Sequence, residues 1–416
     1  MKPREASSGC SMSTEDLPMR LVVAIYADYL LLPSMTFVRA QAEALEKFTP
    51  IYVGSRRYGA GGLNLPEDRV LALHQSASAL GKIREFPLKI LGYDPILFWK
   101  VKRRKPVLVH AHFGPGGLLA LPLSRYLNVP LITTFHGYDV TVGPEHAQEF
   151  HFTFRKYCRN KALLQREGRL FLAASQFVRD KLIEQGFPEH RVRLHYIGVD
   201  TEFFQPNLSI QREQVVLFVG RLSENKGCRF LIEAFEHVRA VHPKIALVVI
   251  GDGPERPFLE SIAKRNLGDV RFLGMQPPSV VRSWMRRARV FSMPSVEVES
   301  GNSEGFGLVF AEALACGLPA VSFATGGIPE VVADGRTGFL VRPRDSIALA
   351  ARILRLLVDD SLWNAMSLRG RQLVCERFDL RRQTRILEEI YTELQFAREA
   401  PKESTCETQP QAAGAE

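Results

Sequence analysis

The sequence predicts an α/β protein of two domains, each built on a parallel sheet and facing the other across a cleft. Its 416 residues exceed the length that one hydrophobic core usually supports. Short runs of consecutive apolar residues alternate with longer amphipathic stretches along the whole chain. Buried parallel strands covered by helices have this pattern, so we expect βα units with right-handed crossovers in both halves.

The predicted strands are the short apolar runs, which are bounded by turn residues. They lie at residues 21–26, 107–110, 131–135, 170–174, 215–219, 245–250, 270–273, 290–293 and 320–323. Two stretches with apolar residues three or four apart predict helices at residues 227–241 and 255–266. Because ligands gather at the carboxyl ends of parallel strands, we expect the site in the cleft between the two sheets.

A polar stretch at residues 205–212 separates the two halves and contains Pro206. We therefore expect a first, acceptor-side Rossmann-like domain and a second, donor-binding one. A disordered leader, a crossover helix and a disordered tail complete the organisation. The predicted boundaries are 1–18 for the leader, 19–207 and 208–378 for the two domains, 379–396 for the helix and 397–416 for the tail.

Charge and cysteine usage restrict the class of protein. Residues 1–200 carry 27 Lys and Arg against 18 Asp and Glu, whereas the remainder is balanced, so the net charge of +9 comes from the first half. Such an asymmetry suits an anionic partner or a solvated basic face. Six cysteines without CxxC spacing, and no apolar signal core, favour a reduced, cytoplasmic protein.

The densest motif block covers residues 294–341. Glu304 lies in a loop whose flexible Gly305 and Gly307 allow close approach of a ligand. A helix is expected to begin near residue 308, with its free N–H groups facing an anion, and Glu312 lies about one turn into it. Two carboxylates would repel phosphate, so they suit the neutral hydroxyls of ribose and of a sugar.

A second motif follows the first strand of the second half. Gly220 ends that strand, and Arg221 and Lys226 lie in the loop after it. Arginine can bind two phosphate oxygens at once, and lysine adds a compact charge. The pair could therefore neutralise a departing diphosphate, which matters most in the transition state.

Taken together, these residues resemble the retaining glycosyltransferases of family 4, and within them the exopolysaccharide and colanic-acid-type branch. That family has the GT-B fold of two Rossmann-like domains with a C-terminal helix crossing back to the first. Its Glu-x7-Glu hallmark matches Glu304 and Glu312. The resemblance implies that Glu304 contacts the donor sugar, that Glu312 holds the ribose, and that Arg221 and Lys226 bind the diphosphate.

The resemblance also implies further donor-binding positions at the strand ends and around the helix start. They are Gly220, Asp252, Gly274, Met275, Gly305, Phe306, Gly307 and Leu308. His136, in a His-Gly pair, corresponds to a histidine that contacts sugar or phosphate, so we count it with Arg221, Lys226 and Glu304 as catalytic. The chain has no Asp-x-Asp motif, and a metal site is not expected.

Histidines follow two apolar strands of the first half. His110, His112 and Asp139 are acceptor-side candidates, because strand ends in this half face the cleft. The alternative for His110 and His112 is packing against neighbouring loops. The loop at residues 31–38 lacks the glycines found in many family members, and in it Ser34 and Thr36 either bind a ligand or cap the next helix.

Residues 82–105 mix bulky apolar side chains with lysines and arginines, and residues 155–169 add further positive charge. This composition suits docking on an anionic membrane surface. It equally suits a helix packed on the domain with a solvated basic rim. Peripheral attachment to the inner face of the cytoplasmic membrane would give access to a lipid-linked acceptor.

The function predicted from the resemblance is retaining, metal-independent transfer of a hexosyl unit. The donor is a nucleotide-diphosphate sugar, which serves as co-substrate without any other cofactor. The acceptor is a glycan or a lipid-linked saccharide in surface polysaccharide biosynthesis. Two alternatives remain: an epimerase or phosphorylase on the same scaffold, and a non-catalytic basic binding protein. A nucleic-acid partner is not expected, because no recognition motif accompanies the charge.

Overall fold

The computed structural model describes residues 20–30, 32, 35–57, 64–74, 79–266 and 270–399. Two separate parallel sheets organise these residues, one in each half of the chain. The predicted leader at 1–18 and most of the predicted tail lie outside the described residues. Among the described helices, none combines the length and the apolar composition that crossing a bilayer requires.

The first sheet contains eight strands in the order β2-β3-β1-β5-β6-β7-β8, with β4 beside β3. Its strands are β1 (Leu21–Tyr26), β2 (Tyr29–Leu30), β3 (Phe48–Arg57), β4 (Val70–His74), β5 (Leu108–His112), β6 (Leu131–Phe135), β7 (Leu170–Ala173) and β8 (Val192–Leu194). The helices of this half are α1 (Thr36–Glu43), α2 (Ala79–Leu91), α3 (Pro95–Arg103), α4 (Gly114–Leu127), α5 (Tyr138–Thr141), α6 (Phe152–Glu167) and α7 (Gln176–Glu184).

The second sheet contains six strands in the order β11-β10-β9-β12-β13-β14. Its strands are β9 (Val215–Val219), β10 (Ala246–Ile250), β11 (Val270–Phe272), β12 (Val290–Ser292), β13 (Ala320–Phe323) and β14 (Gly338–Val341). The helices are α8 (Cys228–Val241), α9 (Arg256–Asn266), α10 (Pro278–Arg287), α11 (Leu308–Ala315), α12 (Ile328–Val331), α13 (Ser346–Val358), α14 (Asp360–Arg377) and α15 (Leu380–Glu399).

Each sheet reverses its winding direction at one pair of neighbouring strands. In the first sheet the chain runs outward from β1 to β3 and then returns to the other side of β1 at β5. In the second sheet the same reversal separates β9 from β12. Ligands of open parallel sheets bind beyond the carboxyl ends of such a pair, so the topology places one ligand edge in each domain.

The last helix, α15, packs on the first domain. Backbone hydrogen bonds from Val199 N to Phe378 O (2.7 Å) and from Leu380 N to Val199 O (2.9 Å) fix its start between the two halves. Leu387, Ile390 and Tyr391 are buried in the same apolar cluster as β1 and α1. The prediction of a C-terminal helix crossing back to the first domain is therefore confirmed.

Candidate active site

A cleft of about 880 Å³ lies between the carboxyl ends of the two sheets. The first domain contributes the residues that follow β1, β5 and β6, and the second contributes the loops after β9 and β12. Charged or imidazole side chains on its walls are Asp28, His112, His136, Glu149, His151, Arg221, Glu224, Lys226 and Glu304. The cleft thus lies at both ligand edges that the topology defines.

The second-domain wall presents two cations and one carboxylate. Lys226 Nζ lies 2.5 Å from Glu304 Oε2, and both side chains are mostly buried. Arg221 is exposed in the cleft, and within the described residues its guanidinium has no hydrogen-bond or ion-pair partner. An unpaired guanidinium beside a lysine is free to bind an anion. The structure thus brings together the predicted residues Arg221, Lys226 and Glu304.

Glycine packing holds these loops in place. Gly227 has φ +66°, and a Cβ on it would lie 1.9 Å from Pro294 O, so only glycine allows the loop of Lys226 to meet the loop after β12. Added Cβ atoms on Gly326 and Gly327 would lie 2.1 and 2.2 Å from the carbonyl oxygens of Glu304 and Gly305. Backbone contact on this side therefore sets the position of Glu304.

Glu312 lies in α11, after the positive-φ Gly307 that precedes the helix. It does not line the cleft, and no described group donates a hydrogen bond to its carboxyl. Burial raises the pKa of Glu312 to about 8. The carboxyl is therefore largely neutral at pH 7 and can both donate and accept hydrogen bonds.

We expect Glu312→Gln to remove a pH-dependent loss of stability. The Glu312 carboxyl has a pKa of 4.5 in the unfolded chain and of about 8 in the folded protein. Its contribution to stability is therefore fully present below pH 4.5 and is lost as the pH rises through about 8. The melting temperature of Glu312→Gln should exceed that of the wild type at pH 9 and match it at pH 4.5. Glu376→Gln, at an exposed position of α14, is the control. A difference that does not depend on pH would contradict the assignment.

Two histidines of the first-domain wall are joined to each other. His112 Nδ1 lies 3.1 Å from His136 Nε2, and both rings line the cleft. Burial lowers the pKa of His112 to about 3 and that of His136 well below its ordinary value. Both imidazoles are therefore neutral at pH 7. Neutral rings whose pKa is lowered in this way cannot act as efficient bases.

Two other acceptor-side candidates lie behind this wall, outside the cleft lining. His110 is buried between Tyr391 and Thr134, as described below. Asp139 accepts hydrogen bonds from the backbone N–H groups of Gly114 and Gly137, both at 2.9 Å. Burial raises the pKa of Asp139 to about 6 against the effect of these bonds. Asp139 thus connects the backbone that follows β5 to the backbone that follows β6.

Several predicted positions do not line the cleft. Asp252 accepts a hydrogen bond from Gly253 N (2.7 Å), an interaction that lowers its pKa, and Met275 is exposed. The other donor-side positions of this group are Gly220, Gly274, Phe306, Gly307 and Leu308. Thr36 is the first residue of α1, whose preceding residue makes no side-chain cap. Ser34 lies outside the described residues.

Residues that the sequence reasoning missed complete the first-domain wall. Asp28 lies in the short turn after β1, and Tyr29 begins β2. Their position after a buried strand is a signal that could have identified them. His151 precedes α6, and its Nδ1 accepts a hydrogen bond from Phe154 N (3.3 Å). Its Nδ1 is thus unprotonated, so the neutral ring carries its proton on Nε2.

The two walls touch at one side of the cleft. Ser175 Oγ donates to Gly305 O (2.5 Å), and Glu330 accepts hydrogen bonds from Gln176 N (2.8 Å) and Phe177 N (2.9 Å) at the start of α7. Gly305, which lines the cleft, also packs closely against the backbone of His136, since an added Cβ would lie 2.0 Å from His136 O. These contacts hold His136 opposite the loop of Glu304.

Solved structures with similar folds include HepE of Anabaena in complex with UDP and glucose (22% identity, TM-score 0.70, 90% of this chain and 100% of that chain). Sucrose-phosphate synthase of Thermosynechococcus elongatus is also similar (22% identity, TM-score 0.72, 91% of this chain and 100% of that chain). The two facing parallel-sheet domains thus have the GT-B fold of glycosyltransferases, which confirms the predicted fold class.

Two family models match the chain. The model described as Glycosyltransferase Family 4 matches residues 42–203, and the model described as Glycosyl transferases group 1 matches residues 213–359. The two matches lie one in each half of the chain and together cover most of it, so the chain belongs to the glycosyltransferases that these two models describe.

Curated relatives agree with this membership. The chain is 31% identical over 283 residues to WcaL of Salmonella typhimurium, which is named as a colanic acid biosynthesis glycosyltransferase (65% of this chain, 66% of that protein). It is 31% identical over 254 residues to the amylovoran biosynthesis glycosyltransferase AmsK of Erwinia amylovora (59% of this chain, 60% of that protein). The matches therefore span 60% and 66% of the length of these two relatives.

Proposed function

We propose that this protein is a retaining glycosyltransferase that moves a hexosyl unit from a nucleotide-diphosphate sugar to a glycan or a lipid-linked saccharide. The observation that carries the proposal is the group of Arg221, Lys226 and Glu304 on one cleft wall, opposite the neutral His136 on the other. The names of WcaL and AmsK support a role in surface polysaccharide biosynthesis. HepE, with the same fold, has been solved with UDP and glucose.

The donor would lie along the second-domain wall. Arg221 and Lys226 would neutralise the diphosphate as charge builds on the departing oxygen, helped by the N–H groups at the start of α11. Glu304 would bind hydroxyls of the sugar once the diphosphate draws Lys226 away from it. Glu312 would hold the ribose. The Lys226–Glu304 ion pair balances the charge of both side chains.

Transfer would proceed at the face from which the leaving group departs. The acceptor oxygen forms a bond to the anomeric carbon, the bond from that carbon to the phosphate oxygen breaks, and the acceptor's proton passes to the leaving phosphate. The configuration is then retained without an enzymic base, in keeping with the neutral, weakly basic His112 and His136. Within the described residues, no group of three or more His, Cys, Asp or Glu side chains could hold a metal ion.

The decisive experiment is a panel of UDP- and GDP-sugars offered to the purified protein with and without a glycan acceptor. Product analysis by mass spectrometry should show a glycoside formed only when acceptor is present, and slow donor hydrolysis without it. An epimerase would change the sugar with no acceptor, and a phosphorylase would require inorganic phosphate. A basic binding protein would leave every donor intact.

We also propose that the surface formed by α2, α3 and the start of α6 attaches the protein to the inner face of the cytoplasmic membrane. The buried side of this surface packs on the domain through Leu88, Leu97 and Phe98. A helix packed on the domain, which is the alternative to membrane docking, therefore accounts for the buried side and not for the exposed one. The outer side exposes large apolar side chains, namely Ile83, Phe86, Ile90, Leu91, Ile96, Trp99 and Phe152. Exposed cations surround them, at Lys100, Lys102, Arg103, Arg104 and Lys105.

A groove of about 420 Å³ continues this surface between Ile90, Phe152, Arg155, Lys156 and Arg159. Phe152 directly follows the cleft-lining His151, so the groove lies next to the cleft. Apolar side chains beside cations suit an interface with anionic lipid, where apolar burial and charge attraction add. A lipid-linked acceptor held in that interface would reach the cleft without leaving the membrane.

We expect the protein to sediment with phosphatidylcholine vesicles only when they also contain phosphatidylglycerol, and less so as salt is raised, because salt screens the cations. The double variant Phe86→Ala/Trp99→Ala should sediment less than the wild type. Phe258→Ala removes an equally exposed ring from α9 of the second domain and should leave sedimentation unchanged. Sedimentation that does not depend on anionic lipid would contradict the proposal.

A further inference from the structure

Four histidines lie together in the first domain, between its sheet and the crossing helix α15. His110, His112 and His195 are almost fully buried, and His136 is partly buried at the cleft wall. Burial lowers the pKa of each of them, and the charge of a neighbouring imidazole lowers it further for His110, His112 and His136. The group is therefore a set of neutral rings, in which each hydrogen bond must have one donor and one acceptor.

The rings form a continuous path from α15 to the cleft. Tyr391 Oη lies 2.5 Å from His110 Nδ1, and His110 Nε2 lies 2.7 Å from Thr134 Oγ1, so both ring nitrogens of His110 are held. The rings of His110 and His112 lie with their centroids 4.5 Å apart. His112 Nδ1 then meets His136 Nε2 at 3.1 Å.

Among the residues that the structure describes, the last ring of this path has no other polar support. His136 Nδ1 is buried without a hydrogen-bond partner. The ring otherwise contacts Phe37 and Phe113, with centroids 4.9 and 4.6 Å away, and such contacts do not specify which nitrogen carries the proton. The bond to His112 therefore couples the tautomer of His136 to that of His112, and the packing of His112 on His110 fixes the position of that bond.

We infer that Tyr391 is a positioning residue for the cleft: from the crossing helix it holds His110, which places His112, which in turn holds His136 in the cleft wall. This inference rests on the proposed function, because it assigns a purpose to the orientation of His136. It also gives α15 a role beyond joining the two domains. A displacement of that helix would change the cleft wall, although no residue of α15 lines the cleft.

The test is Tyr391→Phe, which keeps the ring packed edge-on against Phe48 and removes only the hydroxyl. Misplacing a group that contacts the substrate by about 1 Å can cost ~10²-fold in rate, so we expect kcat to fall about tenfold with a nearly unchanged KM for the donor. The donor used is whichever sugar nucleotide of the panel the wild type turns over.

A second measurement separates positioning from general destabilisation. In protein labelled with ¹⁵N in the imidazole rings, the resonances of His112 and His136 should shift in Tyr391→Phe. Ile390→Val trims a buried methyl group on the same helix without touching the path. It should lower the melting temperature slightly while leaving kcat and those resonances as in the wild type. If Tyr391→Phe does not fold, Thr134→Val removes the other hydrogen bond of His110 and should produce the same shifts.

Wild-type kcat together with unshifted resonances of His136 in the folded Tyr391→Phe variant would overturn the inference. So would equal losses of kcat in Tyr391→Phe and Ile390→Val. The nuclear resonance measurement needs no substrate, so it reports on the path even if the panel finds no donor. A missing donor would then count against the proposed function and not against the path.

Discussion

Lys226→Ala is expected to lower kcat for sugar transfer by ~10²–10³-fold, the usual effect of removing one group that stabilises transition-state charge. Lys226 is the compact cation of the cleft wall, and its present partner is the Glu304 carboxylate at 2.5 Å. The loss should fall mainly on kcat, because charge on the diphosphate is greatest as the bond to the sugar breaks. Steady-state kinetics with the donor identified by the panel measure the effect.

The matched control for this variant is Lys264→Ala, which removes an exposed lysine from the last turn of α9. It should retain wild-type kinetics. Because Lys226→Ala leaves the mostly buried Glu304 without its partner, the melting temperature must be recorded beside the rate. Near-normal turnover by a folded Lys226→Ala protein would contradict the assignment of the donor site.

Glu304→Ala is the second change with a large expected effect, again ~10²-fold or more on kcat/KM. The carboxylate lines the cleft beside Lys226, and its loss removes hydrogen bonds to sugar hydroxyls that we expect to strengthen in the transition state. Glu299→Ala, in the same loop and exposed, serves as the control and should remain active. Transfer at the wild-type rate by Glu304→Ala would show that the sugar is held elsewhere.

The losses of activity caused by Lys226→Ala and by Glu304→Ala should not add in the double variant. Lys226 and Glu304 form one pair, so the double variant is expected to lose about as much activity as the worse single variant. Losses that multiplied would indicate that the two side chains act on the substrate independently.

The fold could be predicted to a large extent because buried parallel strands are locally distinct. Consecutive apolar residues identified β1, β6 and β9 to the residue. The longest strand, β3 (Phe48–Arg57), was missed, because Pro50, Gly54 and the terminal arginines interrupt its apolar pattern. It is specified by pairing with β1 and β4 on both edges, which is tertiary information.

The cleft wall of the second domain was easier to predict than that of the first. Arg221, Lys226 and Glu304 lie on loops that directly follow strands, so topology alone places them at the ligand edge. On the first wall, similar reasoning treated His110 and His112 alike, although only His112 lines the cleft. The difference arises because His110 forms a hydrogen bond with Tyr391, which is 281 residues away in the chain. No local sequence pattern predicts such a contact.

Glycine in a motif was equally ambiguous. Gly305 was expected to make room for a ligand, and the structure shows that it also makes room for the backbone of His136 in the first half of the chain. A glycine in the sequence indicates that another group packs closely against the backbone there, but it does not indicate whether that group is a ligand or another part of the chain. The same limit explains why His151 was missed, since it belongs to the cleft only through the packing of distant loops.

The most direct test of the whole account is a crystal structure of the protein soaked with UDP or GDP. We predict that the diphosphate will lie against Arg221 and Lys226 at the start of α11, with the ribose beside Glu312 and with Glu304 released from Lys226. A nucleotide bound away from these side chains, with the Lys226–Glu304 pair intact, would contradict the account.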